Sequence, residues 1–190
     1  NVNSKDFADI YVFNTCSVTE NANKETRKLI RRSKRINPNA FITLIGCYAQ
    51  LKPEELIDIK DVNLVLGTAD KFDLLNHLDK IDTSGDIKSS ISGNINDIKI
   101  FNPSFSNDDR TRSFLKVQDG CDYSCTFCTI PLARGRSRSS SINKTINIAK
   151  DISRTNTKEI VLTGINIGDF GKGTNESFYE LIKQMDSQID

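Results

Sequence analysis

The sequence predicts an α/β fold, and three observations carry that expectation. Short β-favouring runs alternate with helical stretches about 30 residues apart, the spacing of strand–helix–strand units with a right-handed parallel crossover. Cys16 and Cys47 each fall directly after such a run, at the carboxyl edge where parallel sheets place their ligands. A stretch rich in Ser, Asn, Asp and Gly, residues 82–107, then separates this series from a second one.

The elements follow in order. Residues 10–13, Ile-Tyr-Val-Phe, form the first expected strand, and residues 19–35 run without a breaker to Pro38, which closes a helix. Residues 41–45 form the second strand. Pro53, Glu54 and Glu55 suit the first turn of a helix, where a missing N–H costs little and acids meet the positive end of the dipole. Residues 64–66 form the third strand, and Asp70 is an expected cap for a helix ending near Lys80. Within the polar stretch, residues 97–101 read as one weak strand. Residues 113–117 and 159–163 are expected strands. Between them a helix over 141–154 carries an apolar stripe of Ile142, Ile146, Ala149 and Ile152. A last helix is expected from Glu176 to about Gln188. The organisation that results is a first α/β domain at 1–81, a linker at 82–110, and a second strand–helix segment at 111–190.

With 37% apolar and 27% charged residues, the chain can bury a core. No run approaches the roughly 18 apolar residues of a membrane-spanning helix, and no charged-then-apolar leader opens the sequence. The five cysteines are grouped for metal ligation more than for disulfides, which implies a reducing, cytoplasmic setting. A net charge of +1 excludes a globally basic nucleic-acid binder, so any such role must be local. Two local candidates exist. Seven of the twelve residues from Lys24 to Arg35 are basic, and Arg134, Arg136 and Arg138 form a second run. Such density attracts phosphate, although the first run also reads as a solvated helix face.

Cys121, Cys125 and Cys128 give the pattern C-x3-C-x2-C. Thiolates are soft ligands, and closely spaced ones on a short loop can reach one metal centre with little loop-closure cost. Iron–sulfur clusters normally take four Cys ligands. Three leave one iron open for a non-protein ligand. A zinc site or unrelated cysteines are the plainer readings, and zinc normally takes four ligands.

Residues 117–131, from Val117 through the three cysteines and Phe127 to Pro131, resemble the cluster loop of radical S-adenosylmethionine (radical SAM) enzymes, and within them the methylthiotransferase family. The resemblance implies a 4Fe–4S cluster on Cys121, Cys125 and Cys128, with S-adenosylmethionine on the free iron and Phe127 beside it. Residues 14–22 and 46–50 look like two of the three cysteine segments of the family's N-terminal domain. They imply a second, auxiliary 4Fe–4S cluster on Cys16 and Cys47. On spacing alone these two would be ordinary core cysteines. The family's remaining cysteine would precede Asn1, so an N-terminally truncated fragment is expected, lacking the first strand and first cysteine, its auxiliary site incomplete. Residues 162–168 resemble the family's second barrel strand and loop, which makes Gly164 and Asn166 expected cofactor contacts; a Gly-rich loop alone is usually a turn.

The fold implied is a flavodoxin-like N-terminal methylthiotransferase domain with a parallel sheet, followed by the first part of a radical SAM partial (βα) barrel. The barrel would be cut short and the fragment inactive by itself. The activity implied is sulfur insertion and methyl transfer at C2 of N6-threonylcarbamoyladenosine at tRNA position 37. Arg134, Arg136 and Arg138 are expected to touch the substrate. The partners implied are tRNA and an electron donor such as flavodoxin or ferredoxin, and no membrane. The isopentenyladenosine-tRNA and ribosomal-protein enzymes of the same family, and a plain iron–sulfur electron carrier, are the alternatives.

Overall fold

A computed structural model of the chain describes residues 5–16, 20–81, 87–106 and 111–189, with the main chain alone for 20–23. Residues 17–19 of the first cysteine segment, and 82–86 and 107–110 of the expected linker, lie outside the described residues. The chain forms two compact units, Asn1–Asp97 and Ile98–Asp190.

The first unit is a four-stranded parallel sheet in the order β1 (Ile10–Thr15), β2 (Phe41–Gly46), β3 (Leu64–Leu66) and β4 (Ser89–Ile91). Residue alternation decides which faces are buried. Ile42 and Leu44 of β2 pack with Tyr11, Phe13, Ile30, Leu56 and Val65 on one face. Phe41 packs with Leu64, Leu66, Leu74 and Leu78 on the other. Each fully buried Leu or Ile contributes about 1.5–3 kcal/mol. Both faces of β2 and β3 are therefore covered, and the two strands read as continuous apolar runs. β1, at the sheet edge, buries alternate residues and leaves Ile10 and Val12 exposed.

Helix α1 (Glu20–Ile36) lies between β1 and β2 in the chain, and its Thr26, Ile30 and Ser33 are buried. Two short helices follow β2, α2 (Cys47–Leu51) and α3 (Pro53–Ile57). The sequence has no periodicity long enough to signal α2. Asp70 does not cap the next helix, α4 (Leu74–Asp79), which is entered through a 3₁₀ turn; its carboxylate instead accepts from Gly93 N–H at 2.8 Å. That bond helps draw the 89–93 segment onto the sheet, so part of the expected linker supplies the fourth strand. β4 lacks the apolar run that marks a strand, and its parallel pairing with β3 holds it in place.

In the second unit β6 (Arg112–Lys116) pairs in parallel with β9 (Glu159–Thr163) and antiparallel with β5 (Ser104–Phe105). The weak strand expected at 97–101 is absent; pairing begins at Ser104. Helices α6 (Ile142–Ser153) and α7 (Phe178–Gln188) cover one face around Leu115, Val117, Ile146, Ile152 and Leu181. Ser141 and Ser177 cap the two helices through Lys144 N–H and Glu180 N–H. Between β6 and α6 lie β7 (Gln118–Asp119), the helix α5 (Ile130–Arg134) and β8 (Arg138–Ser139), with β7 and β8 antiparallel. Among the described residues no helix is long and apolar enough to cross a membrane.

Candidate functional site

Parallel pairing brings Cys16 and Cys47 to the same edge of the first sheet. Thr15 and Gly46 are register partners, and each cysteine is the next residue along its strand. The turn at Gly46 needs a left-handed backbone (φ 107°), and a Cβ there would collide with Asn14 Oδ1 and with Thr15 O at 2.6 Å. Cys16 is exposed and Cys47 half-buried, both free thiols. Gln50, three residues after Cys47, ties this edge together. Its Oε1 accepts from Thr68 N–H at 2.8 Å, and its Nε2 donates to Ser92 Oγ and Gly93 O at 3.0 and 3.1 Å.

In the second unit two loops leave the same end of paired strands, since Lys116 and Thr163 are register partners. One carries the three cysteines, and the other begins at Gly164. Gly120 starts the first with φ 72°, and a Cβ on it would strike Arg136 O. Cys121 N–H then bonds Gly135 O at 3.0 Å, and Cys128 N–H bonds Cys125 O at 3.1 Å. Cys125 and Cys128 are exposed, Cys121 half-buried, and Phe127 is 97% exposed, so its ring is open to a ligand.

Among the described residues no three His, Cys, Asp or Glu side chains stand close enough together to hold a metal ion. The three thiols thus share one loop without converging. Their chemistry still fits an iron–sulfur group: three soft, accessible donors on an irregular segment anchored at both ends. Asp122, the carboxylate inside the loop, is taken up by Lys172 at 3.0 Å and by Ser137 N–H at 3.0 Å. Its carboxyl sits below the usual carboxylate range, chiefly because of the Ser137 bond.

One buried side chain joins the two loops, and local sequence carries no sign of it. Gln118 is fully buried; its Nε2 donates to Gly120 O (2.7 Å), Asp119 O (3.1 Å) and Ser137 Oγ (2.9 Å), while its Oε1 accepts from Ile165 N–H (2.9 Å) and Asn166 N–H (2.8 Å). Gly164 is tightly placed: a Cβ there would lie 3.1 Å from Gln118 Cβ and 3.0 Å from Ile167 Cγ1, so those side chains would have to give way. Asn166 meets this network through its main chain.

Two of the three arginines after the loop, Arg134 and Arg138, turn towards Asp119, which is buried. Its carboxylate takes Arg134 Nη1 at 3.1 Å, Arg138 Nη2 at 3.2 Å and Lys116 Nζ at 3.5 Å. Burial pushes the Asp119 carboxyl up, and the three cations outweigh it, holding it below the usual range. Arg138 Nη1 also donates to Arg134 O and Arg136 O at 2.6 and 3.0 Å, closing the hairpin behind the cysteine loop. Arg136 is exposed.

These features define an α/β protein of two units, each presenting cysteines at the carboxyl edge of parallel strands. Residues 1–67 match the family described as "Uncharacterized protein family UPF0004". The chain is 39% identical over 188 residues to the threonylcarbamoyladenosine tRNA methylthiotransferase MtaB of Bacillus subtilis, covering 96% of this chain and 41% of that protein. It is 36% identical over 185 residues to the protein of the same name from Aquifex aeolicus (97% and 45%). It is 31% identical over 197 residues to the tRNA-2-methylthio-N(6)-dimethylallyladenosine synthase of Clostridium novyi (98% and 42%). These matches make the chain similar to methylthiotransferases along nearly all of its length, and it spans less than half the length of these relatives.

Proposed function

We propose that the protein carrying this chain is a radical SAM tRNA methylthiotransferase that places a methylthio group at C2 of N6-threonylcarbamoyladenosine, position 37 of tRNA. The observation that carries this reading is the cysteine loop itself. Three accessible thiols lie on one segment whose neighbour, the Gly164–Asn166 loop, is held to it through Gln118. The subgroup rests on similarity: four relatives named for this modification are 35–39% identical over 93–97% of the chain, and a fifth is 31% identical. Against these, the dimethylallyladenosine enzyme is 31% identical, and a ribosomal protein uS12 methylthiotransferase is 35% identical over a shorter 82% of the chain.

Cys121, Cys125 and Cys128 would hold a 4Fe–4S cluster, and Cys16 and Cys47 would contribute to an auxiliary one. When bound, the cluster and S-adenosylmethionine supply the electron and the radical chemistry that opens the adenine C2–H bond. The chain's own residues carry the three donors on one loop and present main chain and an aromatic ring beside them. Gly120 sets the direction in which the loop leaves β7, and the Arg136 carbonyl sits where a side chain would lie. Phe127 offers an apolar face to a bound nucleoside, and Gly164 and Asn166 supply main chain at the adjacent edge. A flavodoxin or ferredoxin is the class of electron donor such a site needs.

The test uses the full-length protein reconstituted without oxygen. Cys125→Ala should remove about half of both the cluster absorbance and the bound iron if two clusters bind. Undiminished iron would reject the ligand assignment. Adding S-adenosylmethionine should perturb the spectrum of the unaltered protein, a change that a simple electron carrier lacks.

A further inference from the structure

The two basic runs have different fates in the fold. Arg134 and Arg138 are drawn to Asp119. On α1, Lys24, Arg27, Lys28, Arg31, Arg32 and Arg35 are exposed and Lys34 half-buried. We infer that this face of α1 is a docking surface for the phosphate backbone of RNA, an inference that rests on the tRNA reading above and locates the contact.

Helical geometry at about 100° per residue puts the seven cations in a sector of about 160°. Buried Thr26, Ile30 and Ser33 lie in a sector of about 60° on the opposite side. Lys24, Lys28, Arg31 and Arg35 are successively four, three and four residues apart, so they form a single ridge about 17 Å long with neighbours roughly 5–6 Å apart. The helix sequence holds seven cations against two acids, Glu20 and Glu25, in a chain whose net charge is only +1. Among the described residues, the one ion pair on this ridge is Lys28 with Glu25 at 3.4 Å, and both partners are largely exposed. Arg27 stands apart, since its charge also acts on Tyr48 and Glu55.

A row of like charges on one helix face weakens the helix. A polyanion relieves that repulsion and releases its counterions in return. The apolar side of α1 is already buried in the core, so the helix has no face to insert into a bilayer, and that argues against a lipid surface.

The experiment measures binding of an unmodified tRNA transcript to the full-length protein across a salt series. The variant replaces the ridge: Lys24→Gln, Lys28→Gln, Arg31→Gln and Arg35→Gln. Affinity should fall by roughly tenfold or more, and the slope of log affinity against log salt should drop by about three, at 0.7–0.9 per phosphate lost. Bound iron should stay unchanged. In the unaltered protein tRNA should shield Lys24 and Lys28 from acetylation, a readout that needs no variant to fold. If tRNA binds but the variant binds equally well, or both lysines stay reactive, the surface assignment falls while the tRNA reading stands. If the unaltered protein binds no tRNA, the reading and the inference fall together. Loss of binding to anionic vesicles with tRNA binding intact would make this a membrane surface and overturn the inference.

Discussion

Gly46 before Cys47 and Gly120 before Cys121 do the same work in the two units. Each takes a left-handed backbone directly before a cysteine, Gly46 at the end of the parallel strand β2 and Gly120 after the short antiparallel strand β7, and turns that cysteine out of the strand. Each edge is also tied by a glutamine three residues from that cysteine, Gln50 after it and Gln118 before it. What differs is depth. Both amides use both ends, but Gln50 is half-buried, accepting from Thr68 N–H after β3 and donating to Ser92 and Gly93 after β4. Gln118 is fully buried beneath two loops. Next to Gln118 lies the ion cluster of Asp119, and among the described residues the first unit has no buried ion pair. The second edge is therefore rigidly pre-set by buried polar contacts, while the first depends on the sheet register itself. Buried polar networks have large consequences when one partner is removed.

The largest test of this contrast is Asp119→Asn. It leaves Arg134 and Arg138 without their counter-charge in a site where Asp119 and Arg138 side chains are only 7% and 10% exposed. Denaturant unfolding of the second unit should lose about 3–5 kcal/mol. An effect near that of a surface pair would show the cluster to be solvated and the contrast unreal.

Gln118→Leu should cost roughly 2–3 kcal/mol, because the Gly120 carbonyl and the Ile165 and Asn166 amides lose their partner. Hydrogen exchange at those two amides should speed up more than at α6. Exchange that rises equally everywhere would mean a general loss of stability and no specific tie between the loops. Gln50→Leu should cost only about 1 kcal/mol, since water can replace the lost bonds. Equal costs at the two glutamines would erase the distinction.

Acid separates the units as well. Asp119 has a folded pKa below its unfolded one, so its contribution to stability is complete above the ordinary carboxylate range. It fades as pH falls from about 4 towards the folded value, and the second unit should lose stability there through proton uptake that Asp119→Asn abolishes. The smallest effect belongs to Lys172, exposed and paired with Asp122 and Asp169. Lys172→Ala should leave the melting temperature unchanged and show itself only as a weaker effect of salt on the exchange of the cysteine loop.

Elements that carry their own local signal are legible in the sequence. β9 falls at 159–163 as expected, and α6 buries each of the four apolar residues expected for its stripe. Two strands depart from expectation because their pairing is set from a distance. β4 is Ser-Ser-Ile and is a strand only because β3 lies beside it. Residues 97–101 have the more β-favouring sequence, yet the short strand against β6 begins at Ser104. Asp70 has the look of a cap, and a bond to Gly93, 23 residues on, claims its carboxylate instead.

The α/β class, the cysteine spacing and the family resemblance can all be read along the chain, because periodicity and motif spacing are properties of neighbouring residues. Three outcomes cannot be read that way and come from folding alone: Gln118 reaches amides 47 and 48 residues away, Arg134 and Arg138 turn inward, and α1 presents its cations outward. They depend on which surfaces are buried against each other, and burial is a property of the folded chain as a whole.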